Sequence, residues 1–90
     1  MATVRIPTPL RTLTDGEATV QCDGVDVRAI VGRLDDAHPG FRSRILDEDG
    51  ELRRFVNVFV RDEDIRFQSG LDTSVAESDI VSIIPAVAGG

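Results

Sequence analysis

Ile80-Val81-Ser82-Ile83-Ile84-Pro85, followed by Ala86-Val87-Ala88-Gly89-Gly90, is the stretch whose reading decides the fold. Its opening residues are β-branched and apolar apart from Ser82, the composition of a strand held in a sheet. Pro85 cannot donate to a ladder and stops the strand. The residues after it are small and uncharged, and glycine accepts backbone angles that other residues avoid. The pattern predicts a strand that delivers an extended, flexible tail, Ala86, Val87, Ala88, Gly89 and Gly90, away from a folded body. Such a tail can enter a narrow channel in another protein and set the Gly90 carboxylate inside that protein's active site.

A last strand needs neighbours, and the chain supplies them. Arg54-Phe55-Val56-Asn57-Val58-Phe59-Val60 is the clearest, rich in β-branched and aromatic residues. Val56, Val58 and Val60 fall on one face; Phe55, Asn57, Phe59 and Arg61 fall on the other. Arg61 to Asp64 reads as a charged turn and Ile65-Arg66-Phe67 as a short edge strand. Ser69 to Asp79 reads as loop, bent at Gly70. At the other end of the chain, Thr3 to Pro7 alternates polar and apolar residues. Asp15-Gly16 is a good hairpin turn, and Glu17 to Cys22 reads as the returning strand.

Between these strands lies one amphipathic segment. Asp26 is a plausible N-cap, and Val27, Ile30, Val31 and Leu34 recur at helical spacing. His38-Pro39-Gly40 ends the helix, because the residue before a proline is disfavoured in helical geometry. Phe41, Ile45 and Leu46 fit one further short helical turn, and Asp47 to Gly50 another turn.

The order strand, strand, helix, strand, short strand, strand gives one helix one mixed sheet to cover. That is the α+β, β-grasp arrangement of ubiquitin-like domains, with the first and last strands adjacent, parallel and central. The crossover between parallel strands is long enough to carry the intervening elements. The organisation expected is a β-grasp domain over 1–85 and an extended tail over 86–90. The expected core is Val4, Ile6, Val20, Val27, Ile30, Val31, Leu34, Val56, Val58, Val81 and Ile83.

Bulk properties limit the function. Ninety residues suit a single domain. A net charge of −6 repels phosphate backbones, which argues against nucleic acid and for basic protein partners. No apolar run is long enough to span a membrane and no signal-peptide layout opens the chain, so a cytoplasmic location is expected. One cysteine cannot form an internal disulfide or a thiolate-rich zinc site. All ten basic residues are arginine.

The ending Ile83-Ile84-Pro85-Ala86-Val87-Ala88-Gly89-Gly90 resembles the signature tail of the sulfur-carrier proteins of the ThiS and MoaD type, and the likeness runs along essentially the whole chain. Within that family the chain is most similar to the carriers of thiocarboxylate-dependent cysteine biosynthesis. Arg54-Phe55-Val56-Asn57-Val58, Asp62-Glu63-Asp64-Ile65-Arg66-Phe67, Gly70-Leu71 and Pro85 to Gly90 carry that closer likeness. Carriers of the molybdopterin pathway often have a second proline where this chain has Ala86.

The resemblance implies a cycle. An E1-like, ATP-dependent adenylylating and sulfurtransferase enzyme activates Gly90 and installs sulfur. A pyridoxal-phosphate-dependent cysteine synthase receives the sulfur, and a zinc-dependent peptidase releases the cysteine formed on Gly90. The chain would be a cosubstrate rather than an enzyme, with no bound cofactor or metal; the ATP belongs to the activating partner. The alternatives are the small subunit of molybdopterin synthase, the thiamin-thiazole carrier, a ubiquitin-like protein modifier, and an interaction domain with an inert tail.

Other residues fit less specific roles. Phe55 and Phe59, on the face opposite the valines, suit a docking patch for partner enzymes; the plainer reading is that a loop covers them. Cys22 on a strand reads as a small buried apolar residue. His38 lacks a second histidine or a nucleophile partner. Asp47-Glu48-Asp49 reads as a solvated turn. Asp62-Glu63-Asp64 reads either as a solvated turn or as a group that pairs with a partner's arginines, and Arg66 could pair with it locally.

Overall fold

Strand β1, Ala2–Arg5, pairs antiparallel with β2, Thr19–Cys22, with Arg5 opposite Thr19 and Ala2 opposite Cys22. Residues 1–85 of the computed structural model are described; 86–90 lie outside them. The pairing is the expected one, but the connection is not a tight hairpin. A 3-10 helix, Thr8–Thr14, fills it, with a proline in its first turn. Asp15-Gly16 does adopt the left-handed backbone that suits such residues, with φ of 53° and 90°. The pair uses it to cap the 3-10 helix through N–H bonds to the Arg11 carbonyl, rather than to join two strands directly.

Helix α1, Val27–Ala37, starts where the sequence places it. The Asp26 carboxylate accepts the Ala29 backbone N–H at 2.8 Å. Its stripe, Val27, Ile30, Val31 and Leu34, is buried. It ends at His38, and Gly40 (φ 113°) begins the short helix α2, Phe41–Ile45. Asp35 joins the two helices by accepting the N–H groups of Gly40 and Arg42, both at 3.1 Å.

Strand β3, Val56–Val60, turns sharply into β4, Glu63–Asp64. Arg61 and Asp62 alone form the turn, at φ 54° and 63°. Both central residues being left-handed defines the tight hairpin turn that matches strand twist. The expected edge strand Ile65-Arg66-Phe67 is instead a 3-10 turn. The Asp64 carboxylate accepts the Arg66 N–H and turns the backbone there, which lets Ile65 bury fully. Arg66 pairs with none of the neighbouring carboxylates; it bonds Asn57 and the Arg53 carbonyl. The segment read as loop carries a second short 3-10 turn, Gly70–Asp72, with Gly70 at φ 60°.

Strand β5, Ile80–Pro85, lies at the centre of the sheet, whose order is β2-β1-β5-β3-β4. It runs parallel to β1 and antiparallel to β3. The expected core is buried except Val20, which is only partly covered on the edge strand β2. The core also takes Phe41, Ile45, Ile65, Leu71 and Val75. Phe41 and Ile45 come from α2, the short helical turn read from the sequence; the others come from the 65–75 segment, whose short turns show no periodicity to read.

Candidate functional site

The site is built on the end of β5. Pro85 is still in the sheet, opposite Val56, and Ile84 lies opposite Asn57. β5 is held on both edges at Val81 and Ser82 and by β3 alone from Ile83 to Pro85, so the tail starts from a residue still paired in the sheet. The tail residues Ala86, Val87, Ala88, Gly89 and Gly90 lie outside the described residues.

The face of β5 that points away from α1 carries Ile80, Ser82 and Ile84; Val81 and Ile83 are buried beneath. Across the ladder, the same face of β3 carries Asn57 and Phe59, with the exposed Phe55 just before them. Of the two phenylalanines singled out from the sequence, Phe55 is 65% exposed, whereas Phe59 is only half-buried, flanked by Ser82 and Asp64. Phe55 is therefore the free ring and Phe59 part of the floor. Two further exposed apolar residues had not been singled out. Phe67 is 83% exposed on the turn after β4, and Ile84 is 48% exposed beside Asn57. Phe67 was hidden by being read as edge strand. The signal for Ile84 was present: its neighbours Val81 and Ile83 fix the inward face, and strand alternation turns Ile84 outward.

Polar contacts brace this surface. Arg66 donates from Nη1 to Asn57 Oδ1 and from Nη2 to the Arg53 carbonyl, both at 2.8 Å. The Arg54 guanidinium stands 5.8 Å from the centre of the Phe55 ring, a cation–π distance. At the opposite end of β3, Arg61 pairs with Asp79 and donates to the Ser74 carbonyl. Asp79 also accepts the Ala76 N–H at 2.8 Å, and its backbone carbonyl accepts from Thr3. This cluster ties the β3–β4 turn to the start of β5.

The remaining candidates stay structural. Cys22 is buried, with its sulfur 3.6 Å from the Ile30 carbonyl. Burial first, and then the nearby Asp23 carboxylate, push its thiol pKa upward. A thiol held protonated is a poor nucleophile. His38 packs edge-on against Phe41 with ring centres 6.3 Å apart. Among the described residues no cluster of His, Cys, Asp or Glu is arranged to hold a metal, and no helix is long and apolar enough to cross a membrane.

A five-stranded mixed sheet with parallel first and last strands and one main helix on its inner face defines a ubiquitin-like β-grasp protein. Comparison with known proteins gives the family. The ThiS family model matches residues 4–90, and the chain belongs to that family of sulfur carriers. It is 46% identical over 90 residues to the sulfur carrier protein CysO of Mycobacterium tuberculosis H37Rv, covering 98% of this chain and 97% of the relative. A chain of the crystal structure of the Amycolatopsis orientalis BexX/CysO complex superimposes with a TM-score of 0.94 at 46% identity, covering 100% of both chains. Small archaeal modifier protein 1 of Haloferax volcanii is 37% identical over 81 residues, covering 90% of this chain and 80% of the relative.

Proposed function

We propose that Gly90 is the sulfur-bearing residue and that the sulfur goes to cysteine. A carboxylate repels nucleophiles, so it must first be activated. An E1-like enzyme transfers AMP from ATP to the Gly90 carboxylate and releases pyrophosphate. A sulfur nucleophile then attacks the acyl carbon, AMP leaves with the original carboxylate oxygen, and a thiocarboxylate remains. That sulfur is anionic and nucleophilic yet covalently held, so it is not lost as free sulfide. The absence of a side chain on glycine leaves the acyl carbon open at each transfer.

The chain's own part is to present and to dock. Pairing of Pro85 with Val56 of β3 gives the tail a fixed origin. The apolar face of Phe55, Phe59 and Ile84 beside that origin offers a landing surface for the enzymes that use Gly90. On this reading the protein is a cosubstrate of cytoplasmic enzymes, with Ala86 to Gly89 lying in the partner's channel. On a pyridoxal-phosphate-dependent synthase the thiocarboxylate sulfur replaces the leaving group of an activated serine while staying bonded to the Gly90 acyl carbon. The acyl group then passes from sulfur to the new cysteine's amine, and a zinc-dependent peptidase hydrolyses that amide, freeing cysteine and restoring the Gly-Gly carboxylate. The observation that carries the reading is the family match continuing through Gly90, together with the likeness to CysO.

The test is intact-mass measurement after incubation with ATP, a sulfur source and the activating enzyme. Exchange of one oxygen for sulfur is expected, followed by a cysteine adduct when the synthase and an activated serine are added. Removing Gly90 should abolish both. No mass change in the intact chain would sink the carrier reading; sulfur consumed only by molybdopterin synthase would redirect it.

The likeness to a small archaeal modifier protein favours one second reading, in which activated Gly90 is joined to lysines of other proteins. The chain has no lysine and could be linked only to others. A conjugate ladder with lysine-bearing proteins, in place of the sulfur adduct, would establish it.

A further inference from the structure

We infer that the outer sheet face beside Pro85 docks on an acidic protein surface, with Arg54 and Arg66 as the charged readers around the exposed Phe55 ring. The inference rests on the carrier reading for the identity of the partner, the activating enzyme. It goes beyond that reading in stating what chemistry the partner's surface must have.

The protein as a whole is acidic, at −6. Its net charge alone predicts basic partners, but three arginines stand around the tail origin. Arg66 projects onto it, held at Asn57, the residue directly opposite Ile84. Arg54 lies over the Phe55 ring. On the other side of β5, the exposed Arg5 stands opposite Ser82. The ion pairs among the described residues are Met1–Asp23, Arg28–Asp72 and Arg61–Asp79, and none involves these arginines. Asp64, opposite Phe59, is a carboxylate on this face; it accepts the Arg66 backbone N–H, and its one negative charge stands against the three arginines.

The geometry favours carboxylates as the occupant. Two hydrogen bonds fix the Arg66 guanidinium, so little side-chain freedom is left to lose on binding. Its other N–H groups have no protein acceptor among the described residues, and a planar fork matches a carboxylate in two-point contact. An exposed aromatic ring with an arginine against it has the composition of an interface centre.

The experiment is the affinity of the intact chain for its activating enzyme, measured without ATP, so that it does not depend on loading. Arg54→Glu is the principal variant, because Arg54 makes no hydrogen bond that the fold needs; Arg66→Glu is the second. Each should weaken binding about tenfold at about 0.1 M salt. The difference should shrink toward 1 M, where the screening length falls from about 10 Å to about 3 Å. Arg33→Glu, the same charge change on the helix side, should leave affinity unchanged. Equal affinity of Arg54→Glu and the wild type would overturn the inference. So would a loss that salt does not reduce, or an equal loss in Arg33→Glu. If the arginines instead contact nucleotide phosphate, affinity without ATP stays the same and the KM for ATP rises, which also overturns it. A chain that binds as expected but gains no sulfur would refute the carrier reading alone.

Discussion

Two glycines near α1 give a paired prediction, because the same substitution should act in opposite directions. Gly32 lies inside α1, and a Cβ built on it meets nothing within 4 Å. Alanine there removes the backbone freedom that glycine gives the unfolded chain, at no steric cost. Gly32→Ala should stabilise by roughly 0.8–1 kcal/mol. Gly24 lies in the loop between β2 and α1, and a Cβ there would stand 2.9 Å from both the Cδ1 and the backbone nitrogen of Ile30. The methyl could rotate away, but the nitrogen is fixed in α1 by its bond to the Asp26 carbonyl at 3.0 Å. Gly24→Ala should destabilise by about 1–3 kcal/mol, the cost of overpacking. For a domain of this size roughly 1 kcal/mol moves Tm by about 4–8 °C, so the two variants should melt on opposite sides of the wild type. Urea unfolding checks the same pair: the midpoint should move while the slope stays constant. Sulfur loading should be normal in both, because neither residue lies on the outer sheet face. A neutral or stabilising Gly24→Ala would refute the reasoning, since it would mean that the loop retreats freely from α1.

Three further outcomes are expected. Asp79→Ala removes the partner of Arg61 and the acceptor of the Ala76 N–H from a side chain only 12% exposed; it should cost about 1–3 kcal/mol, read by denaturant midpoint. The Cys22 thiol ionises later in the folded chain than in the unfolded one, so its contribution is complete at neutral pH. As pH rises past the ordinary thiol value of 9.0 the unfolded state sheds its proton first, and stability should fall; Cys22→Ala should flatten that slope in a pH series of melts. Phe55→Ser combined with Phe67→Ser should change stability by no more than about 0.5 kcal/mol per site, because both rings are exposed. The same double variant should lose affinity for the activating enzyme, and calorimetry of both properties separates docking from folding. Phe59→Asp is the less clean probe, because its half-buried ring makes some loss of stability inevitable.

Local chemistry made much of the fold legible. The β-branched run ending at Pro85, the valine alternation of β3, and the stripe of α1 behind its Asp26 cap each act within a few residues. They therefore read directly from order and spacing. The same alternation put Phe59 on the outer face and Val58 in the core; the strand read from Arg54 begins only at Val56, with Arg54 and Phe55 in the turn before it. The order of these elements was enough for the β-grasp arrangement and for the parallel pairing of β1 with β5. The residues proposed to carry sulfur were also legible, since the tail's chemistry depends on residue type and not on packing.

Contacts between distant segments decided the rest. Whether Asp15-Gly16 joins two strands or caps a 3-10 helix depends on the register of β1 against β2, which no local signal sets. The Arg61-Asp62 turn contains no glycine, and its left-handed backbone is held in place by the bonds of Arg61 to Asp79 and Ser74. Phe67 became surface because Asp64 turned the chain and buried Ile65 instead. Arg66 reaches Asn57 and the Arg53 carbonyl, close in sequence to Arg54 and Phe55, only once β3 and the 65–67 turn lie side by side. Residue type and spacing determined that a β-grasp body carries a Gly-Gly tail. Which charges and rings surround its point of departure was decided by tertiary structure, because that neighbourhood is assembled from residues far apart in the chain.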